Sequence, residues 1–443
     1  MTRLDRGATC YDPGSEPAAL PAIDMPHPPP SFAVLGRLVD GGIDAGETAV
    51  VIDAGRVAAR HPIASGAPLP TVRFGAPIVS PGFVDLQVNG GFGFEVGEDA
   101  DALVALAGRL PETGVTLFLP TLVSRPEGDY AEAFTAFERA AGPRQTPGAR
   151  IGGLHLEGPL LAPTRAGAHD RAAIEAASAE GLARILAAAP SRRARGAGVA
   201  LVTLAPERER TLELVGDLTA RGIGVSLGHT DASFDLATRA IDAGARFATH
   251  VWNAMPPLHH RAPGVVGAAL ADDRVTALFI ADGLHLHRAV LKLGLAAKPP
   301  GRRAIVSDAI SAAGLPSGPP PGQDQGQDQA PGTGAPRVAR LAGQTLRLEG
   351  SAARLPDGTL AGATVPLDQA LRNVRAATAL GTAEILRLAT ATPGSALGGR
   401  AGRLEVGDPA DLVLLDAELN VLVTFVGGQL AFVRGGDVDA FRT

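Results

Sequence analysis

From about residue 78 onward the chain alternates between two kinds of pattern. Short runs of β-branched and other apolar residues, bounded by Gly, Asp or Asn, give way to longer Ala/Leu stretches with helical spacing. That alternation is the mark of successive βα units. It predicts strands at Phe83–Val88, Thr116–Leu119, Gly152–Leu156, Ala200–Leu204, Gly224–Leu227, Phe247–Thr249, Thr276–Ile280 and Ala304–Val306. It predicts helices at Ala100–Leu110, Tyr130–Ala141, Arg171–Ala189, Arg208–Ala220, Phe234–Ala243 and His287–Leu295. About eight parallel strands is the number in a closed barrel, so the expected fold class is α/β, a (β/α)8 TIM-type barrel.

The two ends of the chain carry a different pattern. Apolar alternations split by Gly and Asp fill Phe32–Ile78, as in TAVVIDAGRVAAR, and recur in GDPADLVLLD and LNVLVTFVGGQLAFVRGG. These read as strands joined by tight turns, with no helix between them. The expected organisation is a disordered Pro-rich tail over 1–30, a small β-sandwich from 31–79 and 395–443, and the barrel over 80–394. A low-complexity insertion at 316–336, with a GQDQ repeat, reads as a surface loop. After it, RVARLAGQTLRLEGSAARLPDGTLAG predicts a hairpin around Pro356-Asp357-Gly358, followed by helices at Pro366–Thr378 and Ala383–Ala391.

Composition narrows the function classes. With 443 residues and 45% apolar content the chain can bury a large core. A formal charge of −6, both signs dispersed and no basic stripe argue against a nucleic-acid partner. Cys10 is the only cysteine, which excludes a disulfide framework and a thiolate metal cluster. No apolar run reaches membrane-spanning length, and the first residues lack a secretory core. A cytoplasmic enzyme with no membrane partner is the expectation.

The chemistry gathers at one rim. In such barrels reactive groups sit at the C-terminal strand ends. Reading those ends off this sequence gives Gln87 and Asn89, Glu157, Glu207, His229, His250, His285 and Asp308. Glu157, His229 and His250 form a carboxylate–imidazole set suited to one hydrolytic metal ion with a position left for water. Such an ion lowers the pKa of its water and polarises a carbonyl. The single ion expected is divalent, Zn2+ foremost, with Fe2+, Co2+ and Mn2+ as alternatives. Asp308 suits a general base beside that water, or, more blandly, a helix cap. His285 suits the carbonyl oxygen, and with His287 it offers a remote second metal pair; Asp282 reads equally as a turn residue. Gln87-x-Asn89 stands where many hydrolase barrels carry His-x-His, and amides bind divalent metal poorly, which favours one ion. Arg261 suits bidentate phosphate recognition or is a solvated loop residue.

The segments PGFVDLQVNG, GLHLEGP, VTLAPE, SLGHTDA, FATHVWNAMPP, IADGLH, VSDA and TLAGAT resemble the N-acetylglucosamine-6-phosphate deacetylases of the amidohydrolase superfamily. The resemblance runs from about Phe32 to Arg434. It implies a barrel plus a β-sandwich, usually as a homodimer, and hydrolysis of N-acetyl-D-glucosamine 6-phosphate to D-glucosamine 6-phosphate and acetate. Glu157, His229 and His250 match the family's metal ligands, Asp308 its acid/base and His285 its carbonyl contact. Ala168, His169, Asn253 and Ala254 match sugar-contacting positions, and Leu360, Ala361 and Gly362 a segment that closes over substrate. Arg261 matches an arginine offered to the 6-phosphate of the neighbouring subunit. Gln87 and Asn89 place the chain with the single-metal members. His259 and His260 depart from the smaller residues usual before that arginine. The rival expectations are another amidohydrolase, such as a deacetylase of N-acetylgalactosamine 6-phosphate, and a non-catalytic sugar-phosphate binder.

Overall fold

The computed structural model describes residues 30–63, 71–72, 77–97, 99–142, 147–190, 198–315 and 338–436. All but the last residue of the tail expected over 1–30, and the whole insertion expected at 316–336, lie outside them.

Eight parallel strands form the barrel: β1 Phe83–Val88, β2 Val115–Val123, β3 Leu154–Glu157, β4 Val199–Leu204, β5 Gly224–Leu227, β6 Phe247–Ala248, β7 Thr276–Ile280 and β8 Arg303–Val306. Each pairs in parallel with the next. The ring closes just beyond β8, where Asp308 N donates to Gln87 O at 3.0 Å and Asn89 N to Ala309 O at 2.8 Å. Nearly every strand residue is buried, because helices cover the outside and side chains fill the inside. The lower interior is apolar, with Val84, Leu86, Leu119, Leu201, Phe247, Leu278 and Val306 in one cluster.

Helices follow the strands, several opened by a side chain that accepts from the first turn, as at Asp99, Asp170, Ser178 and Ser233. One of these caps corrects the sequence reading. The helix expected over Arg171–Ala189 is two helices, Arg171–Ala176 and Ala179–Ala188, because Ser178 leaves the helical conformation to cap Gly181 N at 3.0 Å. A further helix, Gly264–Ala271, was not expected. Its sequence, GVVGAALA, is apolar throughout and shows no helical periodicity.

The two chain ends share one sheet. Its order runs Gln429–Val433, Val421–Val426, Leu412–Leu415, Ile78–Pro81, Ser31–Asp40, Ile43–Asp53, Arg56–Pro62, with Thr71–Val72 alongside Ser31–Asp40. Phe32 and Phe425 lie three strands apart along that path, yet their ring centroids are 5.4 Å apart. Flat strands would separate them by about 14 Å, so the sheet curls over its own apolar core of Phe32, Val50, Ile52, Leu412 and Phe425.

Between β8 and the last helices stands another sheet, antiparallel throughout: Val338–Leu341, Gln344–Glu349, Ala352–Arg354 and Leu360–Ala363. The turn at Pro356-Asp357-Gly358 joins its last two strands. Leu341, Leu346, Ala353 and Ala361 pack on Val123, Ala168 and Ile310, which sets this sheet over the open end of the barrel.

Candidate active site

Glu157 is the last residue of β3, and His229 and His250 each lie two residues past β5 and β6. All three are buried and converge. Glu157 Oε1 is 2.9 Å from His250 Nε2 and 3.2 Å from His229 Nε2, and the two Nε2 atoms are 3.2 Å apart. His229, His250 and Asp308 all adopt positive φ, at 48°, 26° and 50°. Non-glycine residues held there are strained by about 1–3 kcal/mol each. Among the described residues seven other non-glycine positions share positive φ, Trp252 and Ala254 beside His250 among them, so this strain includes the cluster without being confined to it.

The first strand supplies amides rather than imidazoles. Gln87 Nε2 donates to Glu157 Oε1 and to Asp308 Oδ1, both at 3.0 Å, and Asn89 Nδ2 donates to the same Asp308 oxygen at 2.7 Å. Burial, then the nearby Glu157 charge, push the Asp308 carboxyl up to about 6. Burial pushes Glu157 the same way, but hydrogen bonds with His169, His229 and His250 outweigh it and hold the carboxylate well below its usual range. For His250 burial acts downward, and the Glu157 carboxylate outweighs it and raises the ring.

Partners fix the orientation of each imidazole. His229 Nδ1 donates to Arg165 O at 2.8 Å, which leaves the Nε2 lone pair facing the cluster. Ser124 N donates to His169 Nδ1 at 3.0 Å, so Nε2–H faces Glu157 Oε2, 3.6 Å away. His285 Nδ1 meets Asp282 Oδ2 at 2.7 Å, while Asp282 Oδ1 accepts from Leu284 N and His285 N at 2.9 Å each. Asp282 is therefore both the turn residue the sequence suggested and the partner that orients His285. His287 does not join it. Its ring caps the helix Arg288–Ala297 through Ala289 N, so the second metal pair does not form.

A polar layer lies inside the barrel beneath this cluster. Leu86 O can only accept, so His155 Nδ1, 3.1 Å away, carries the proton. Burial lowers His155 to about 4, and the neutral ring accepts at Nε2 from Thr203 Oγ1 at 2.8 Å. Thr203 then accepts from Thr249 Oγ1 at 2.7 Å, and Thr249 from Ser226 Oγ at 2.5 Å. One run of hydrogen bonds thus ties β5, the end of β6, β4, β3 and β1 together. Gly228 is required beside it, since a Cβ there would sit 2.8 Å from Thr203 Cγ2 and 2.9 Å from Thr249 Cβ.

A cavity of about 440 Å3 opens over the cluster. Of the residues singled out in the sequence, Asn89, Glu157, Ala168, His169, His229, His250, Asn253, Ala254, His285, Asp308, Leu360 and Gly362 line it. Gln87 is buried behind the two carboxylates, and Ala361 turns into the core of the overlying sheet. Arg261 is exposed, bonded to His260 Nε2 at 2.7 Å, and does not line the cavity of its own chain. Sequence reasoning passed over Thr164 and Arg165, which do line it. Their place just ahead of Ala168-His169, the pair that the resemblance matches to sugar contacts and that begins three residues after Arg165, was the available signal.

The model of the amidohydrolase family matches residues 78–431. Human N-acetylglucosamine-6-phosphate deacetylase is 38% identical over 372 residues, covering 81% of this chain and 84% of the human protein. N-acetylgalactosamine-6-phosphate deacetylase of Escherichia coli O157:H7 is 33% identical over 380 residues, covering 85% and 93%. Among solved structures, a mutant N-acetyl-D-glucosamine-6-phosphate deacetylase from Mycobacterium smegmatis, in complex with N-acetyl-D-glucosamine-6-phosphate, matches with TM-score 0.79 at 29% identity. That match covers 92% of this chain and 100% of the other. With the family model spanning most of the sequence and the strand-end cluster in place, the chain belongs to the amidohydrolase family.

Proposed function

We propose that the protein hydrolyses the acetamide of N-acetyl-D-glucosamine 6-phosphate to D-glucosamine 6-phosphate and acetate. The observation that carries this reading is the convergence of Glu157, His229, His250 and Asp308 on one cavity, with Gln87 joining the two carboxylates. The relatives bearing that activity in their names support it.

The donor set fits one divalent cation. Two imidazole nitrogens 3.2 Å apart, with a carboxylate oxygen against both, would repel without positive charge between them. Glu157, His229 and His250 would hold the ion, and Zn2+ is the first candidate. When bound, such an ion supplies Lewis acidity to the attacking water and the acetamide carbonyl.

The chain's own groups account for the proton movements. Asp308 accepts the proton of the attacking water and returns it to the departing nitrogen. Asn89 and Gln87 hold Asp308 Oδ1 with two donors, which keeps the carboxylate aimed while its proton comes and goes. His285, oriented by Asp282, lines the cavity where it faces the carbonyl oxygen as charge develops there. Asn253, Ala254, Ala168 and His169 line the cavity where the sugar ring is bound, and Leu360 and Gly362 cover it. Arg261, remote from its own cavity, is assigned to the 6-phosphate of a neighbouring subunit in a homodimer.

A second reading, deacetylation of N-acetylgalactosamine 6-phosphate, is favoured by the Escherichia coli relative, of which this chain covers 93%. Acetate release from both sugar phosphates and from unphosphorylated N-acetylglucosamine, by metal-replete protein, separates the readings. Faster turnover of the galacto epimer would overturn the first. No acetate from any sugar, with sugar phosphate still bound, would leave a binding protein.

A further inference from the structure

Among the described residues lining the cavity, Arg165 is the only Lys or Arg. It ends the short turn Pro163–Arg165 that follows β3. Its Nε donates to Asp231 Oδ1 at 2.6 Å, and Thr164 Oγ1 donates to Asp231 Oδ2 at 2.5 Å. Asp231 is itself fixed, its backbone N donating to Glu207 Oε1 at 2.6 Å while Thr230 Oγ1 holds the other Glu207 oxygen. Glu207, one of the strand-end carboxylates picked out in the sequence, thereby anchors this cation rather than the metal cluster.

Only one edge of the guanidinium is used. Nη1 and Nη2 make no hydrogen bond to any described residue, and the side chain is 32% exposed in the cavity wall. The backbone of the same residue is close to the reacting centre, since Arg165 O accepts from His229 Nδ1. Arg165 thus spans from the metal-ligand shell to the outer wall, a side chain's length away. In a hexosamine 6-phosphate the acetamide and the phosphate stand at opposite ends of the sugar. An acetamide at the Glu157–His229–His250 cluster sends its phosphate toward the outer wall, where a free guanidinium edge matches two phosphate oxygens.

We propose that Arg165 binds the substrate's 6-phosphate within its own chain, as a specificity-determining residue held in place by Asp231. The proposal rests on the sugar-phosphate deacetylase reading and deepens it. It differs from the role assigned to Arg261, because it needs no second subunit.

The test has two arms. Acetate release from phosphorylated and unphosphorylated N-acetylglucosamine is compared for wild type, Arg165→Ala and Arg165→Lys. Binding of glucosamine 6-phosphate and of glucosamine is measured by titration calorimetry on the same proteins, with metal content recorded for each. The ratio of kcat/KM for phosphorylated over unphosphorylated sugar falls about tenfold or more in Arg165→Ala. Affinity for glucosamine 6-phosphate falls by a similar factor, and Arg165→Lys recovers part of both. An unchanged ratio, or equal binding of glucosamine 6-phosphate by wild type and Arg165→Ala, overturns the proposal. A wild type that releases no acetate overturns the deacetylase reading instead, and the calorimetry still decides for or against Arg165.

Discussion

Asn89, just past the end of β1, donates its side-chain amide to Asp308 Oδ1 across 2.7 Å, a shorter bond than the 3.0 Å from Gln87 Nε2 to the same oxygen. The bond joins the start and the end of the barrel at the place where the ring closes, so the geometry of the Asp308 carboxylate is set by the fold's own seam. The same bond stabilises the carboxylate over the carboxylic acid.

If Asp308 moves the proton, Asp308→Asn keeps its shape and its metal but loses about 10²–10⁴ in kcat, the range for general acid–base catalysis. Turnover within tenfold of wild type, at equal metal content, would exclude this role.

Removing the Asn89 amide has a defined sign. Burial and the Glu157 charge already push Asp308 up to about 6, and Asn89 opposes them. A bound cation pulls it back down. Asp308 must be ionised to accept a proton, so activity falls as pH drops through its pKa. In Asn89→Ala the acid limb of the kcat/KM profile moves to higher pH. A limb that stays in place or moves lower contradicts the argument.

Asp85 offers a stability test away from the chemistry. Its Oδ1 accepts from Ser307 N at 3.2 Å and Gln87 N at 3.3 Å, and burial pushes the group up to about 7. A carboxyl raised in the folded state gives stability that is full below its unfolded value near 4 and is lost as pH rises to about 7. Asp85→Asn retains the acceptor oxygen without the charge. Its melting temperature therefore rises relative to wild type between pH 4 and pH 8, with an upper bound of ~4 kcal/mol in stability. A difference independent of pH would show that Asp85 is not ionising in this window.

The hydroxyl run beneath the cluster predicts a loss of metal affinity from Thr203, which pairs with Glu157 along the sheet but whose hydroxyl bonds none of the three ligands. Thr203→Val leaves His155 Nε2 without its donor and Thr249 Oγ1 with Ser226 alone. The dissociation constant of the cation, titrated into stripped protein, rises about tenfold, and Thr203→Ser restores it. Unchanged affinity in the valine variant would confine the run to a packing role.

The parts of this fold that were legible in the sequence are those set by local pattern. Phe83–Val88, Gly224–Leu227 and Thr276–Ile280 follow from short apolar runs closed by polar residues, and the helix Phe234–Ala243 from a clear stripe. Where pattern and local chemistry compete, the pattern misleads. Ser178 broke an otherwise continuous Ala-rich helix by capping, and GVVGAALA hid a helix by being apolar on every side. The convergence of Glu157, His229 and His250 could be inferred because the barrel carries all strand ends to one rim. Partners such as Asp282 for His285, or Asp231 and Glu207 for Arg165, depend on side-chain directions in loops, which no spacing encodes.

The most direct measurement is a metal titration of chelator-stripped protein followed by acetate release from N-acetylglucosamine 6-phosphate. Activity is expected to rise linearly and stop at one equivalent of divalent ion per chain, with no such rise when Glu157, His229 or His250 is replaced by alanine. Full activity without added metal, or a plateau reached only at two equivalents, would contradict the single-ion centre built from those three residues.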